Sequence, residues 1–264
     1  MSKKNIVIVG YPKSGTTWLT RLTAELIGCP VEGYWGRPNH DEPAIEGESR
    51  TSEYRCYKSH HPLEELGQAS GKPIHSVLYI ARDPRDIIVS GSRFFDPARS
   101  EWVDKHIVDR VLRRIPGAVD LYKRIFRSWS YRKHRVLKAV IYGDSRLSWA
   151  QLPWDMHVHQ YLKTDHLFVR YEDLRESTHQ QCIRILDHLG LERTDEHIEK
   201  SIYRQSLDVK KKELVRRGEE EKTRVMNKGI QRQWQGELSE DQVREVEEGV
   251  EVLMDELSYE RHFA

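Results

Sequence analysis

Cysteine is scarce in this chain. Cys29, Cys56 and Cys182 are widely spaced, odd in number and form no Cys-x-x-Cys. That pattern excludes a disulfide framework and a thiolate zinc site and predicts a reducing, cytoplasmic setting. Long apolar runs are also missing. No stretch approaches the roughly 18 residues a membrane span needs, so no membrane association is expected. The block near the start, Ile6-Val7-Ile8-Val9, is too short for a secretory leader and reads as a strand. Charge of one sign is lacking too: 43 Lys plus Arg against 42 Asp plus Glu leave a net +1. A general nucleic-acid coat would carry a clear basic excess, so no nucleic-acid partner is expected. Phenylalanine numbers only 5.

What is present is a chain of 264 residues with 7 Trp and 12 Tyr, its apolar residues gathered in blocks. Such a chain buries a sizeable core and is not disordered. Continuous apolar runs at Ile6–Val9 and Val77–Ala81, with shorter ones at Tyr54–Lys58 and His166–Arg170, predict strands covered on both faces. Helical spacing at Trp18, Leu19, Leu22 and Leu26 predicts a helix ending near Gly28. Asp83-Pro84 reads as a cap and first turn of a helix running to about Phe95. Further helices are predicted over 175–190 and 194–205, and Ser239-Glu240-Asp241-Gln242 is a capping box opening a last helix over about 239–257. Alternating strands and helices define an α/β fold with a central parallel sheet flanked by helices, one domain over 1–264. The stretches 30–53, 96–116 and 143–165 read as excursions from the sheet.

Gly10-Tyr11-Pro12-Lys13-Ser14-Gly15-Thr16-Thr17-Trp18 lies between the first strand and helix. Glycines turn the backbone tightly, and amides, hydroxyls and the helix N-terminus then face an anion. Gly10, Gly15 and Thr17 match the spacing of the nucleoside-triphosphatase loop G-x-x-x-x-G-K-[ST]. Thr16 stands where that loop keeps its Lys, and the lysine is instead Lys13. A nucleotide kinase using magnesium-ATP is therefore the weaker alternative. A non-catalytic nucleotide binder is another.

Tyr11 to Leu19 resembles the 5′-phosphosulfate loop of the cytosolic-type sulfotransferases, in a bacterial-type, small-molecule form. Three further segments carry the same resemblance. Arg82-Asp83-Pro84-Arg85-Asp86-Ile87-Ile88-Val89-Ser90 is similar to the 3′-phosphate segment, Lys58-Ser59-His60-His61-Pro62 to the segment holding the catalytic histidine, and Tyr171-Glu172-Asp173-Leu174 to a Y-E-D-[LM] element. The resemblance implies a P-loop-like phosphosulfate-binding loop. The co-substrate would be 3′-phosphoadenosine 5′-phosphosulfate (PAPS), leaving adenosine 3′,5′-bisphosphate (PAP), without a metal. It implies Lys13 at the bridging oxygen, Ser14, Gly15, Thr16 and Thr17 at the 5′-phosphate, and Trp18 and Tyr171 near the adenine. Arg82, Ser90, Lys228 and Gly229 would hold the 3′-phosphate, with Ser206-Leu207 at the adenine wall. His60 would be the base and Lys58 a second cation. Trp154-x-x-His157-Val158 is similar to a further piece of the pattern, with His157 a packing or acceptor-site residue. His157-x-His159 lacks a third metal ligand.

The sequence departs from the family at Asn227, where an Arg precedes Lys-Gly; Arg224 and Arg232 are the candidate substitutes. The family's dimer segment falls on Gln235, Ser239, Glu240 and Arg244 without its charges, which leaves monomer and dimer open. Phenol pockets of that family are rich in phenylalanine, so with only 5 here the resemblance implies a small polar acceptor, a metabolite or natural product bearing a hydroxyl or amine, with a glycan chain as the alternative. The acidic run Asp41 to Glu48 reads either as a solvated loop or as an electrostatic gate.

Overall fold

A computed structural model describes residues 3–37, 42–95, 128–145, 147, 150–220, 223 and 229–263. The chain divides into two compact units, Met1–Arg82 with His157–Gln231, and Asp83–Met156 with Arg232–Ala264.

The first unit contains a five-stranded sheet, all pairs parallel, in the order β2-β3-β1-β4-β5. Its strands are β1 (Lys4–Gly10), β2 (Val31–Tyr34), β3 (Tyr54–Ser59), β4 (Ile74–Ala81) and β5 (Leu167–Arg170). The expected class, α/β with a central parallel sheet flanked by helices, is the one the chain adopts. Ile6 to Val9 are fully buried in the middle of the sheet, which is why this strand reads as an unbroken apolar run. Helices α1 (Thr16–Ile27), α2 (Leu63–Leu66), α6 (Tyr171–Glu176), α7 (Thr178–Leu189), α8 (Asp195–Arg204) and α9 (Leu207–Arg216) also belong to this unit. Leu19, Leu22 and Leu26 of α1 pack with Ile6, Ile8, Leu78, Ile80, Ile185 and Ile198 in one core.

The second unit holds α3 (Pro84–Phe94), α4 (Trp129–Tyr142), α10 (Glu240–Gly249) and α11 (Glu251–Glu256). Helix α5 is Trp154–Leu162, and its residues from His157 onward belong to the first unit. Asp83 caps α3 by accepting from the Arg85 amide, and Pro84 occupies the first turn. Buried Arg85 is tied to Asp83 at 2.7 Å and Glu247 at 2.5 Å and lies 4.0 Å over the Trp234 ring. Asp86 accepts from the amides of Arg232 at 2.9 Å and Trp234 at 3.3 Å.

Two expectations change, and α5 and α9 are helices that the sequence did not announce. The stretch 30–53 contains the edge strand β2, which pairs with β3 through Val31, Gly33 and Tyr34. The stretch 143–165 contains α5. The lysine-rich segment after Ser206 is helix α9, with Ser206 at its cap position. The helix expected over about 239–257 is two helices, broken at Val250, where φ is −135°. The capping box at Ser239 and Gln242 forms as expected. A Cβ on Gly249 would lie 2.6 Å from Ile141, so a side-chain-free residue lets α10 lie close against α4.

Candidate active site

Strands β3 and β4 both flank β1, so the order reverses around the central strand. Ligands of open α/β sheets bind beyond the carboxyl ends of strands at such a switch point. The motif residues Lys13, Lys58, His60, Arg82 and Tyr171 all follow or end strands there.

The loop after β1 turns tightly. The Ser14 amide bonds to the Tyr11 carbonyl at 3.1 Å, and Gly15, at φ 94°, caps α1. Lys13 adopts φ 73°, the left-handed region that a side chain enters at a cost. Non-glycine residues held there cluster at functional sites. Burial, helped by Lys58 and Arg82, lowers the Lys13 pKa to about 7. The hydroxyls of Ser14 and Thr16 are buried without a hydrogen-bond partner. Buried unpaired hydroxyls are costly, so these two, beside the amides of a helix N-terminus, fit a phosphate that accepts from them.

Tyr171 is the hub of the other wall. A Cβ on Gly15 would meet its ring at 2.6 Å, the Trp18 ring meets it edge-on at 5.9 Å, and the Arg82 guanidinium lies 4.4 Å over it. Arg82 also donates to the Lys13 carbonyl at 3.2 Å and to the Ile230 carbonyl at 3.4 Å. One arginine thus joins the end of β4, the anion loop and the segment containing Gly229. Gly229 has φ 63° and faces Leu207 and Arg175. Lys228, Asn227 and Arg224 lie outside the described residues. Arg232 has its guanidinium 3.5 Å from Glu260. Ser90 is buried on α3, in the second unit.

His60 follows β3. Its Nδ1 lies 2.6 Å from the Gly10 carbonyl. A carbonyl only accepts, so Nδ1 carries the proton and Nε2 keeps its lone pair. Burial pushes the His60 pKa well below the usual imidazole value; the Lys58 charge adds to the drop and the Gly10 bond opposes it. The His60 amide donates to the Tyr34 hydroxyl at 2.9 Å. The adjacent His61 is bonded elsewhere, its Nδ1 2.9 Å from the Ser59 hydroxyl.

Lys58 is paired with Glu42 at 3.0 Å, both side chains largely buried. Glu42 also accepts from the Ala44 amide. Glu46 meets Arg21 at 3.5 Å and Lys210 at 2.8 Å. Within the acidic run, then, Glu42 and Glu46 are not part of a solvated loop: both are ion-paired inside the first unit, and Asp41 lies outside the described residues. His157 is buried, with Nδ1 2.9 Å from the Tyr79 hydroxyl and Nε2 3.2 Å from the His60 carbonyl. Both ring nitrogens are engaged with the protein, so the reading of His157 as an acceptor-site residue gives way to an internal role. Burial lowers its pKa to about 4. The sequence motifs did not single out Tyr34, Tyr79 or Glu42. The available signals were weak: a tyrosine within an apolar strand, and one carboxylate in an acidic run. Among the described residues, no group of three or more His, Cys, Asp and Glu could hold a metal, and no helix is long and apolar enough to cross a membrane.

The site thus joins an anion loop after the central strand of a parallel sheet to a lysine, a histidine and an arginine at neighbouring strand ends. The Sulfotransferase domain family model matches residues 3–258, and the chain belongs to that family. It is 25% identical over 219 residues to rat Sulfotransferase 1A1, covering 76% of this chain and 65% of the relative. It is 24% identical over 257 residues to Sulfotransferase 2A1 of Macaca fascicularis, covering 89% and 79%. The chain thus spans just under two thirds of the rat protein. Among solved structures, mouse sulfotransferase SULT7A1 complexed with PAP superposes with a TM-score of 0.64 at 20% identity, covering 96% of this chain and 86% of that one.

Proposed function

We propose that this chain, as one sulfotransferase domain, moves the sulfuryl group of PAPS to a hydroxyl or amine of a small polar acceptor, in the cytoplasm. The observation that carries the reading is the pair of buried, unpartnered hydroxyls of Ser14 and Thr16 in a loop whose lysine, Lys13, is held at a positive φ. Gly15, Thr16 and Thr17 open α1, and their amides and hydroxyls take the 5′-phosphate. Trp18 and Tyr171 offer aromatic faces to the adenine, with Leu207 an aliphatic neighbour of Gly229. Arg82, with Lys228 and Gly229, takes the 3′-phosphate by charge-assisted hydrogen bonds.

Sulfuryl transfer breaks the bond from sulfur to the bridging phosphate oxygen and forms a bond from sulfur to the acceptor atom. Negative charge grows on the bridging oxygen. Lys13 and Lys58 supply positive charge there, which stabilises the transition state more than the ground state. The acceptor loses a proton as it attacks, and His60 takes that proton at Nε2, the nitrogen its Gly10 bond leaves free. The polar character of the acceptor is supported by Tyr34, whose hydroxyl accepts from the His60 amide, and by Lys58, whose charge acts on the His60 ring.

Thermal melts test the donor class. PAP should raise the melting temperature without added metal, because a ligand that binds only the native state stabilises it by mass action. No shift with PAP but a shift with magnesium-ATP would favour the kinase reading and overturn this one.

A further inference from the structure

Behind His60 lies a second imidazole that the reaction itself does not use. His157, near the start of α5, is buried and bonded to Tyr79 of β4 and to the residue that follows β3. Its Nε2 faces the His60 carbonyl at 3.2 Å, so Nε2 carries the proton and donates. Its pKa of about 4 keeps the ring neutral, which leaves Nδ1 as an acceptor for the Tyr79 hydroxyl at 2.9 Å. Tyr79 is fully buried on β4 and stacks on Tyr161 with ring centroids 4.4 Å apart. Tyr161 donates in turn to the His61 carbonyl at 2.8 Å. Tyr11, in the anion loop, packs edge-on against His157 with centroids 5.6 Å apart. Consecutive carbonyls just past β3 are therefore held by side chains of one helix, α5, through His157 and Tyr161.

We infer that His157 is a positioning residue for the reaction: through the chain Tyr79 to His157 to the His60 carbonyl, it fixes the backbone that aims the His60 imidazole. The inference rests on the proposal that His60 is the base. The segment after β3 has left the sheet, so its carbonyls lose ladder partners and need others. His157 meets that need from a fixed tautomer, because each nitrogen faces a group of defined polarity. A base on a loosely held segment would sample orientations in which Nε2 misses the acceptor proton, and misplacement of about 1 Å costs on the order of 10²-fold in rate. The other anchor of His60, its Nδ1 bond to the Gly10 carbonyl, fixes the ring from the opposite end. The two anchors divide the work, one orienting the backbone and the other the imidazole.

The test is a double-mutant cycle read by single-turnover rate and PAP affinity. His157→Phe keeps a ring of similar breadth but neither hydrogen bond. It should slow turnover by about 10- to 100-fold while PAP affinity stays within about twofold. His157→Gln, whose amide can donate to the same carbonyl, should recover most of that loss. In a His60→Ala background the His157→Phe cost should largely vanish, because there is no base left to aim. A general loss of structure would instead cost the same in both backgrounds. Tyr79→Phe provides an independent variant should His157→Phe fail to fold; it releases the tautomer lock and should slow turnover with PAP affinity retained. Normal turnover in His157→Phe, or an undiminished cost in the His60→Ala background, overturns the inference while leaving His60 as the base. If His157→Phe does not fold, normal turnover in Tyr79→Phe overturns it. Normal turnover in His60→Ala removes the base assignment itself, and the inference with it.

Discussion

Gly15→Ala is the sharpest probe of the anion loop, because two separable penalties meet at one atom. Gly15 has φ 94°, and the added Cβ would lie 2.6 Å from Cδ2 and 2.9 Å from Cε2 of Tyr171. The left-handed conformation costs a non-glycine residue about 1–2 kcal/mol. Forcing a methyl into a packed ring costs about 1–3 kcal/mol more. The sum is about 2–5 kcal/mol. At about 2–4 °C per kcal/mol for chains of about this size, that is a fall in melting temperature of roughly 4–20 °C. Gly28→Ala is the control: φ is 80°, but nothing lies within 4 Å of its Cβ, so only the conformational penalty applies. The predicted order is wild type, then Gly28→Ala, then Gly15→Ala. Function separates them further. Tyr171 displaced by the methyl carries the Arg82 guanidinium stacked on it, so Gly15→Ala should bind PAP much more weakly and Gly28→Ala normally. Differential scanning calorimetry with and without PAP reads both effects. Equal melting temperatures and equal PAP affinity in the two variants would refute the packing of Tyr171 against this loop.

Three other outcomes follow from the charges. The Lys13 pKa of about 7 makes the lysine half-charged near neutrality in the donor-free protein. An anion binds the charged form, so PAP affinity should be greatest below pH 7 and fall as pH rises through 7, and Lys13→Met should flatten the profile measured by calorimetry. Arg82→Ala removes charged hydrogen bonds worth about 1.5–3 kcal/mol and should weaken PAP binding about 10- to 150-fold by the same titration. Glu42→Gln frees the Lys58 charge while keeping an acceptor for it; PAP affinity should rise, and unchanged affinity would separate Lys58 from the nucleotide.

Much of the site was legible because its residues lie close in sequence and are fixed by local chemistry. The anion loop needs glycine at positive φ and hydroxyls at a helix start, and both are written in Tyr11 to Thr17. Asp83-Pro84 announces its helix by capping alone. Other features depended on partners far along the chain. Strand β2 is four residues with Gly33 inside, and only pairing with β3 makes it a strand. Glu42 sits in an acidic run, and its burial follows from Lys58, distant in sequence. His157 sits in a matched motif, yet its role rests on Tyr79 and on the carbonyl of His60, residues on other elements. The break at Val250 interrupts an apolar spacing that continues on either side, so periodicity alone joins the two helices.

The central claim is that sulfuryl transfer proceeds with His60 as the base. The most direct measurement is single-turnover transfer of radiosulfur from labelled PAPS to a panel of small alcohols and amines, with wild type, His60→Ala and His61→Ala, and PAP affinity measured alongside. Labelled product is expected from wild type and His61→Ala, and a loss of about 10²–10⁴-fold in His60→Ala with PAP binding intact. Near-normal transfer by His60→Ala, or a greater loss in His61→Ala, would contradict that claim.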